Sequence, residues 1–158
     1  MIVITLLLSV ILLTSLTNAE IDSSRKEKCE KKGREVVDMI KTRGLKLTFK
    51  ELNKKKGPFV WEDSFIYTID IKKGIILSHN NRRFIGKLMS GVTNINGRKI
   101  YREFMEKGEK QGSGWISYIW KKRLKYEIKH TFVIKIPGHD ILVISSTYNK
   151  PDSAPKLK

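Results

Sequence analysis

One cysteine, Cys29, in 158 residues excludes an internal disulfide, so packing alone must hold this chain together. Histidine is nearly as scarce. Its three copies, at 79, 130 and 139, show no HExxH and no paired spacing, so they make no metal site. There is no glycine-rich phosphate loop and no nucleophile elbow, and Cys29 lies among charges with no base beside it. The sequence therefore offers no catalytic residue, no metal ligand set and no cofactor motif. Acidic residues are also few, 16 against 32 lysines and arginines, for a net charge of +16. An excess that large favours anionic surroundings: small acids, nucleic acid or a phosphate-bearing membrane surface. The basic residues fall in short scattered runs (KEK, KKK, RR, KKR), not in a recognition stripe interleaved with aromatics.

Long hydrophobic runs are missing everywhere except at the start, MIVITLLLSVILLTSLTNAE. Residues 2–13 are almost all apolar, the length of a signal-peptide core and short of the roughly 20 residues of a membrane span. Thr17-Asn18-Ala19 then supplies a small residue at a cleavage position. The reading is a signal peptide over residues 1–19, cut after Ala19, and a periplasmic or secreted product. An uncleaved leader would leave the protein anchored in the membrane. Residues 20–150 are read as one domain, and 151–158 (PDSAPKLK) as a disordered tail.

Within the domain the hydrophobic period changes once. Cys29, Val36, Val37 and Ile40 recur at helical spacing, predicting an amphipathic helix from about Ser24 to Arg43 that Gly44 ends. A second helical piece runs from Leu47 to the stop at Gly57-Pro58. The period is then two: FIYTIDI (65–71) and GIILSH (74–79) flank Lys72-Lys73-Gly74, a hairpin connection. NRRFIGKLMSG (81–91) is irregular and basic, and Asn94 to Gly97 form a turn. GRKIYREFMEKG then reads as a helix, and three strand-like runs follow: WISYIWKKR, YEIKHTFVIKI and HDILVISSTY. That order gives an α+β fold with one helix-covered antiparallel sheet of five strands, not alternating β and α units.

Aromatics gather in GSGWISYIWKK (112–122). With period two, Ile116, Tyr118 and Trp120 share one face and Trp115 takes the other. In the next run Lys129 shares a face with Thr131 and Val133, opposite His130 and Phe132. A lysine on a solvent face needs no explanation. On an inner face it needs a partner, and a bound carboxylate is one.

The strings GPFV…FIYTIDIKKGIILSHNNRRFIGK, NINGRKIYREFMEKGEKQGSGWISYIWKK and KHTFVIKIPGHDILVISSTY together resemble the single Cache domain. These are extracytoplasmic, PAS-like ligand-sensing modules of bacteria, and the resemblance covers about residues 30–148. It implies a long N-terminal helix and a PAS-like sheet whose loops and inserted helix enclose a small pocket. It also implies a small organic acid or amino acid as ligand and a membrane receptor or kinase as downstream partner, in signal transduction or solute capture. This chain resembles the stand-alone secreted form. Asn80 stands where the family often has proline, and Phe132 where tyrosine is common, so the ligand does not carry over.

The candidate ligand-binding residues are therefore Lys129 as the carboxylate anchor, with Tyr118, Trp120, His79, Tyr67 and Trp115 as neighbours. Tyr67 shares a face with Phe65 and Ile69, its hydroxyl reaching the pocket, and Tyr148 is read as structural. The competing reading is a cationic secreted protein that coats anionic envelope, membrane or nucleic-acid surfaces. A pocket binder keeps its ligand in high salt; a surface binder elutes from heparin.

Overall fold

The computed structural model describes the backbone of residues 2–149 and the side chains of residues 22–149. The tail 151–158 therefore lies outside the described residues, and the leader is described in its backbone alone. Helix α1 (Ile2–Leu52) reaches back past the expected start near Ser24. It is broken at Gly44, whose φ of 77° and ψ of 167° are not helical. A Cβ at that position would be strained by the backbone alone, since nothing else approaches it. Gly44→Ala is therefore expected to cost about 2 kcal/mol in chemical denaturation, from backbone strain. No lost contact contributes.

After α1 come β1 (Val60–Trp61), β2 (Ser64–Asp70), β3 (Ile76–Ser78), a single 3-10 turn (Arg82–Phe84) and α2 (Ile100–Gln111). The chain closes with β4 (Ser113–Lys122), β5 (Lys125–Lys135) and β6 (Ile141–Tyr148). All pairings are antiparallel, in the order β1-β2-β6-β5-β4. Short β3 lies against β2 as well, joined to it through the hairpin at Gly74, where φ is 66°. The sheet thus has the five expected strands plus β1, which at two residues is too short to show a period. The last strand, β6, lies at the centre and is buried along its whole length. Its inner position explains why ILVISSTY carries no charge.

Period two then sorts the side chains onto two faces. Helix α1 packs across β6, β5 and β2, with Val36, Val37 and Ile40 against Ile66, Phe132, Ile134 and Val143. Helix α2 crosses β4, β5 and β6 on the other face, where Ile100 and Phe104 meet Ile116, Val133, Leu142 and Ile144. Under α1 the buried side chains of helix and sheet pack directly on one another. On the α2 face the helix covers only part of the sheet, and the rest faces the segment between β3 and α2.

That segment is anchored to β3. Gly86 N–H donates to Ile76 O at 2.8 Å, Ile76 N–H to Lys87 O at 3.0 Å, and Met89 N–H to Gly74 O at 2.7 Å. Residues 82–89 are thereby fixed as a wall standing over the α2 face of the sheet. What lies between wall and sheet is a cavity.

Candidate functional site

The cavity has a volume of about 850 Å³. Its floor is a row of three side chains at one level of three neighbouring strands. Lys129 of β5 pairs directly with Tyr118 of β4 on one side and Tyr148 of β6 on the other. Trp120 follows Tyr118 on the same face. The β2 side contributes Phe65 and Tyr67, the residue after β3 is His79, and the wall supplies Arg83, Phe84, Lys87 and Leu88. Among the described residues no carboxylate lines the space.

Lys129 is 93% buried and, among the described residues, makes no ion pair or hydrogen bond. Its Nζ lies 5.5 Å from the Trp120 ring centroid and 5.4 Å from that of Tyr148. Ring faces attract a cation, yet far less than water or a carboxylate does. Burial accordingly pulls Lys129 down to about 8 from its ordinary 10.5, opposed in smaller measure by Cys29.

His79 is set up as a donor. Its Nδ1 accepts the Asn81 backbone N–H at 2.9 Å, so the neutral ring carries its proton on Nε2. Its own backbone N–H donates to Asn53 Oδ1 at 2.9 Å, which fixes the start of the wall. The imidazole sits among Phe65, Tyr67 and Phe84, at centroid distances of 4.8, 5.6 and 4.8 Å. Burial, with the nearby Lys129 charge, lowers its pKa to about 4. Burial also raises the Tyr67 and Tyr118 hydroxyls, so both remain donors at neutral pH. Tyr118 Oη, Thr131 Oγ1 and Ser146 Oγ form a hydroxyl chain across β4, β5 and β6, each step 3.0 Å.

Of the six residues expected from the sequence, the structure brings five to one cavity: Lys129, Tyr118, Trp120, His79 and Tyr67. Trp115 is not among them. It points to the α1 face, 5.1 Å from the Phe132 ring, with its indole N–H toward Glu30 at 3.4 Å. Period two itself separates Trp115 from Tyr118 and Trp120, so its inclusion contradicted its own strand geometry. Tyr148, read as structural, lines the cavity. Phe65, Phe84, Arg83 and Lys87 line the same cavity and were not among the expected residues. Phe65 was reachable from its shared face with Tyr67. The wall residues have no strand period, and only their placement along β3 brings them in.

These pKa values set the sign of a pH profile. Between pH 8 and 9 the folded protein gives up the Lys129 proton that the unfolded chain retains to about 10.5. Stability of the ligand-free domain is therefore expected to rise by about 1 kcal/mol over that interval. Above pH 9 Cys29 acts in the opposite direction. Burial pushes its thiol up to about 11, so the fold retains a proton that the unfolded thiol releases near 9. The rise should flatten there in the wild type and continue toward pH 10 in Cys29→Ala. Denaturant titrations at each pH would check it, and a flat profile from 8 to 9 would mean that Lys129 is solvated.

A helix-backed antiparallel sheet, with a cavity enclosed by a loop wall and helix on its other face, defines a PAS-like sensor module. The chain belongs to the Cache domain family, whose model matches residues 48–150. Cache domains are non-catalytic sensor modules. Three solved structures share the fold. A periplasmic sensor domain of a chemotaxis protein is 18% identical with a TM-score of 0.64, over 84% of this chain and 97% of its own. A Cache chemosensory domain, described by its carboxylic acid recognition, is 14% identical with a TM-score of 0.65, over 83% and 97%. A methyl-accepting chemotaxis protein from Vibrio parahaemolyticus RIMD 2210633 is 16% identical with a TM-score of 0.63, over 83% and 93%. No curated protein matches by sequence.

Proposed function

We propose that this chain is the ligand-binding module of an extracytoplasmic sensor and that it takes an organic carboxylate, with the anionic group seated on Lys129. One observation carries this reading: a buried ammonium on the cavity floor, with no acidic side chain among the lining residues. A charge held in that position is stabilised by whatever anion enters. The Nε2–H of His79 offers a second donor on the opposite wall, and Arg83 and Lys87 keep the mouth positive. Carboxylic acid recognition by a Cache chemosensory domain of the same fold supports the reading. So does the family's use as a sensor. On this view the leader at residues 1–19 delivers the domain across the membrane, and a membrane receptor or kinase receives its signal.

Calorimetric titration of the full chain with organic acids and their matching primary amides is the test. Acids are expected to bind and amides not to. Lys129→Ala should weaken acid binding tenfold to hundredfold, the value of a charge-assisted hydrogen bond of about 1.5–3 kcal/mol. Equal binding of acid and amide would sink the assignment.

A further inference from the structure

Building on the carboxylate reading of the same cavity, we propose that the ligand is a ring-bearing organic acid without an amino group. Two- and three-carbon acids and α-amino acids are both disfavoured by the site.

Size comes first. A cavity of roughly 150 Å³ lined by apolar side chains is enough to hold benzene. The space over Lys129 is about 850 Å³. An acetate-sized anion on Lys129 would leave most of it to water, against walls that water gains little by touching. A ligand that fills more of it removes that apolar surface from solvent.

The walls favour rings. On one side Phe65, His79 and Phe84 stand in sequence, with adjacent centroids 4.8 Å apart. On the other, Tyr118 meets Trp120 edge-on at 5.9 Å and 84°. These separations and tilts are those at which aromatic groups attract one another, and both groups border the open space. At the mouth Phe84 and Leu88 are 47% and 65% exposed. The backbone bonds from the wall to β3 hold their segment at the mouth. Large apolar side chains fixed beside an opening extend the apolar wall beyond the floor. A ligand body reaching up from Lys129 would cover them.

The charges exclude an amine. An α-amino acid brings an ammonium within two bonds of its carboxylate carbon. Seated on Lys129, that ammonium would be buried beside a second cation, with no carboxylate among the lining residues to receive it. The two ring faces at the Lys129 seat, Trp120 and Tyr148, already lie under Lys129 Nζ. Arg83 and Lys87 at the mouth add to the repulsion. A burial of this kind, charge without partner, is among the costliest in a protein.

Three probes separate the terms: propanoate, 3-phenylpropanoate, which adds a ring, and L-phenylalanine, which adds an amino group to the latter. Calorimetry with the full chain at pH 7 should give 3-phenylpropanoate at least tenfold tighter binding than either of the others. Trp120→Leu should narrow its advantage over propanoate. Equal affinity for propanoate and 3-phenylpropanoate, both lost in Lys129→Ala, would overturn the ring requirement and leave the carboxylate reading standing. Tighter binding of L-phenylalanine would overturn the exclusion of amines. Binding that survives Lys129→Ala undiminished for all three would overturn the carboxylate reading itself, and this inference with it.

Discussion

Lys129→Met is expected to make the ligand-free domain more stable, by about 3 kcal/mol at pH 7, while weakening its affinity for carboxylates tenfold to hundredfold. Substitutions at buried positions usually cost stability, so the sign is the informative part. Burial holds Lys129 at about 8 instead of 10.5. Keeping it charged at pH 7 in the fold therefore costs about 3 kcal/mol relative to the unfolded chain. Methionine has a similar unbranched stem, so it retains the contact with Trp120 and Tyr148 and drops the charge. In thermal melts the gain should appear as a shift of roughly 10 °C. Ligand at a concentration just sufficient to saturate the wild type should raise its melting point and shift the variant far less. A variant less stable than the wild type would show that the ammonium already has a stabilising partner in the free protein.

Phe132→Ala should do the reverse, costing about 3–5 kcal/mol and leaving the affinity of the folded molecules unchanged. Phe132 is 3% exposed and lies on the α1 face of β5, against the bare surface of Gly33 and beside the Trp115 ring. The Arg34 guanidinium closes over it at 5.4 Å. Its ring is enclosed there, so truncation leaves a void that rigid neighbours cannot fill. Against a typical total of roughly 5–15 kcal/mol the loss is large. Denaturant melts would measure it, and calorimetry well below the transition would measure affinity. An affinity loss without a stability loss would mean that Phe132 borders the cavity and that the two faces are assigned the wrong way round.

That assignment was legible in the sequence. Alternation alone set Tyr118 and Trp120 against Trp115, and Lys129 against Phe132, and both separations hold in the structure. What alternation cannot supply is the register between strands. The pairing of Lys129 with both Tyr118 and Tyr148 depends on where β4, β5 and β6 stop sliding past one another. For that reason alternation did not bring Tyr148 to the cavity. The helix break at Gly44 and the α2 segment were visible because glycine and a 3.6-residue period are local signals. Strand β1 and the wall at residues 82–89 were not. Two residues show no period, and the wall takes its shape from backbone bonds to β3 that no spacing in RRFIGKLM encodes.

The two faces of the sheet also differ in how freely they can change over generations. A side chain under α1 has neighbours on every side, and altering it disturbs the packing that keeps the chain folded. Phe65, Met89 and Trp120 border open space, so exchanging them forfeits contacts on one side only and reshapes the hollow. Strand β6 belongs to both faces and lies buried between them, insulating one from the other. Mutation can therefore retune which compound is held without first having to rescue the fold. A frame still recognisable at 14 to 18% identity is what such a division of labour permits.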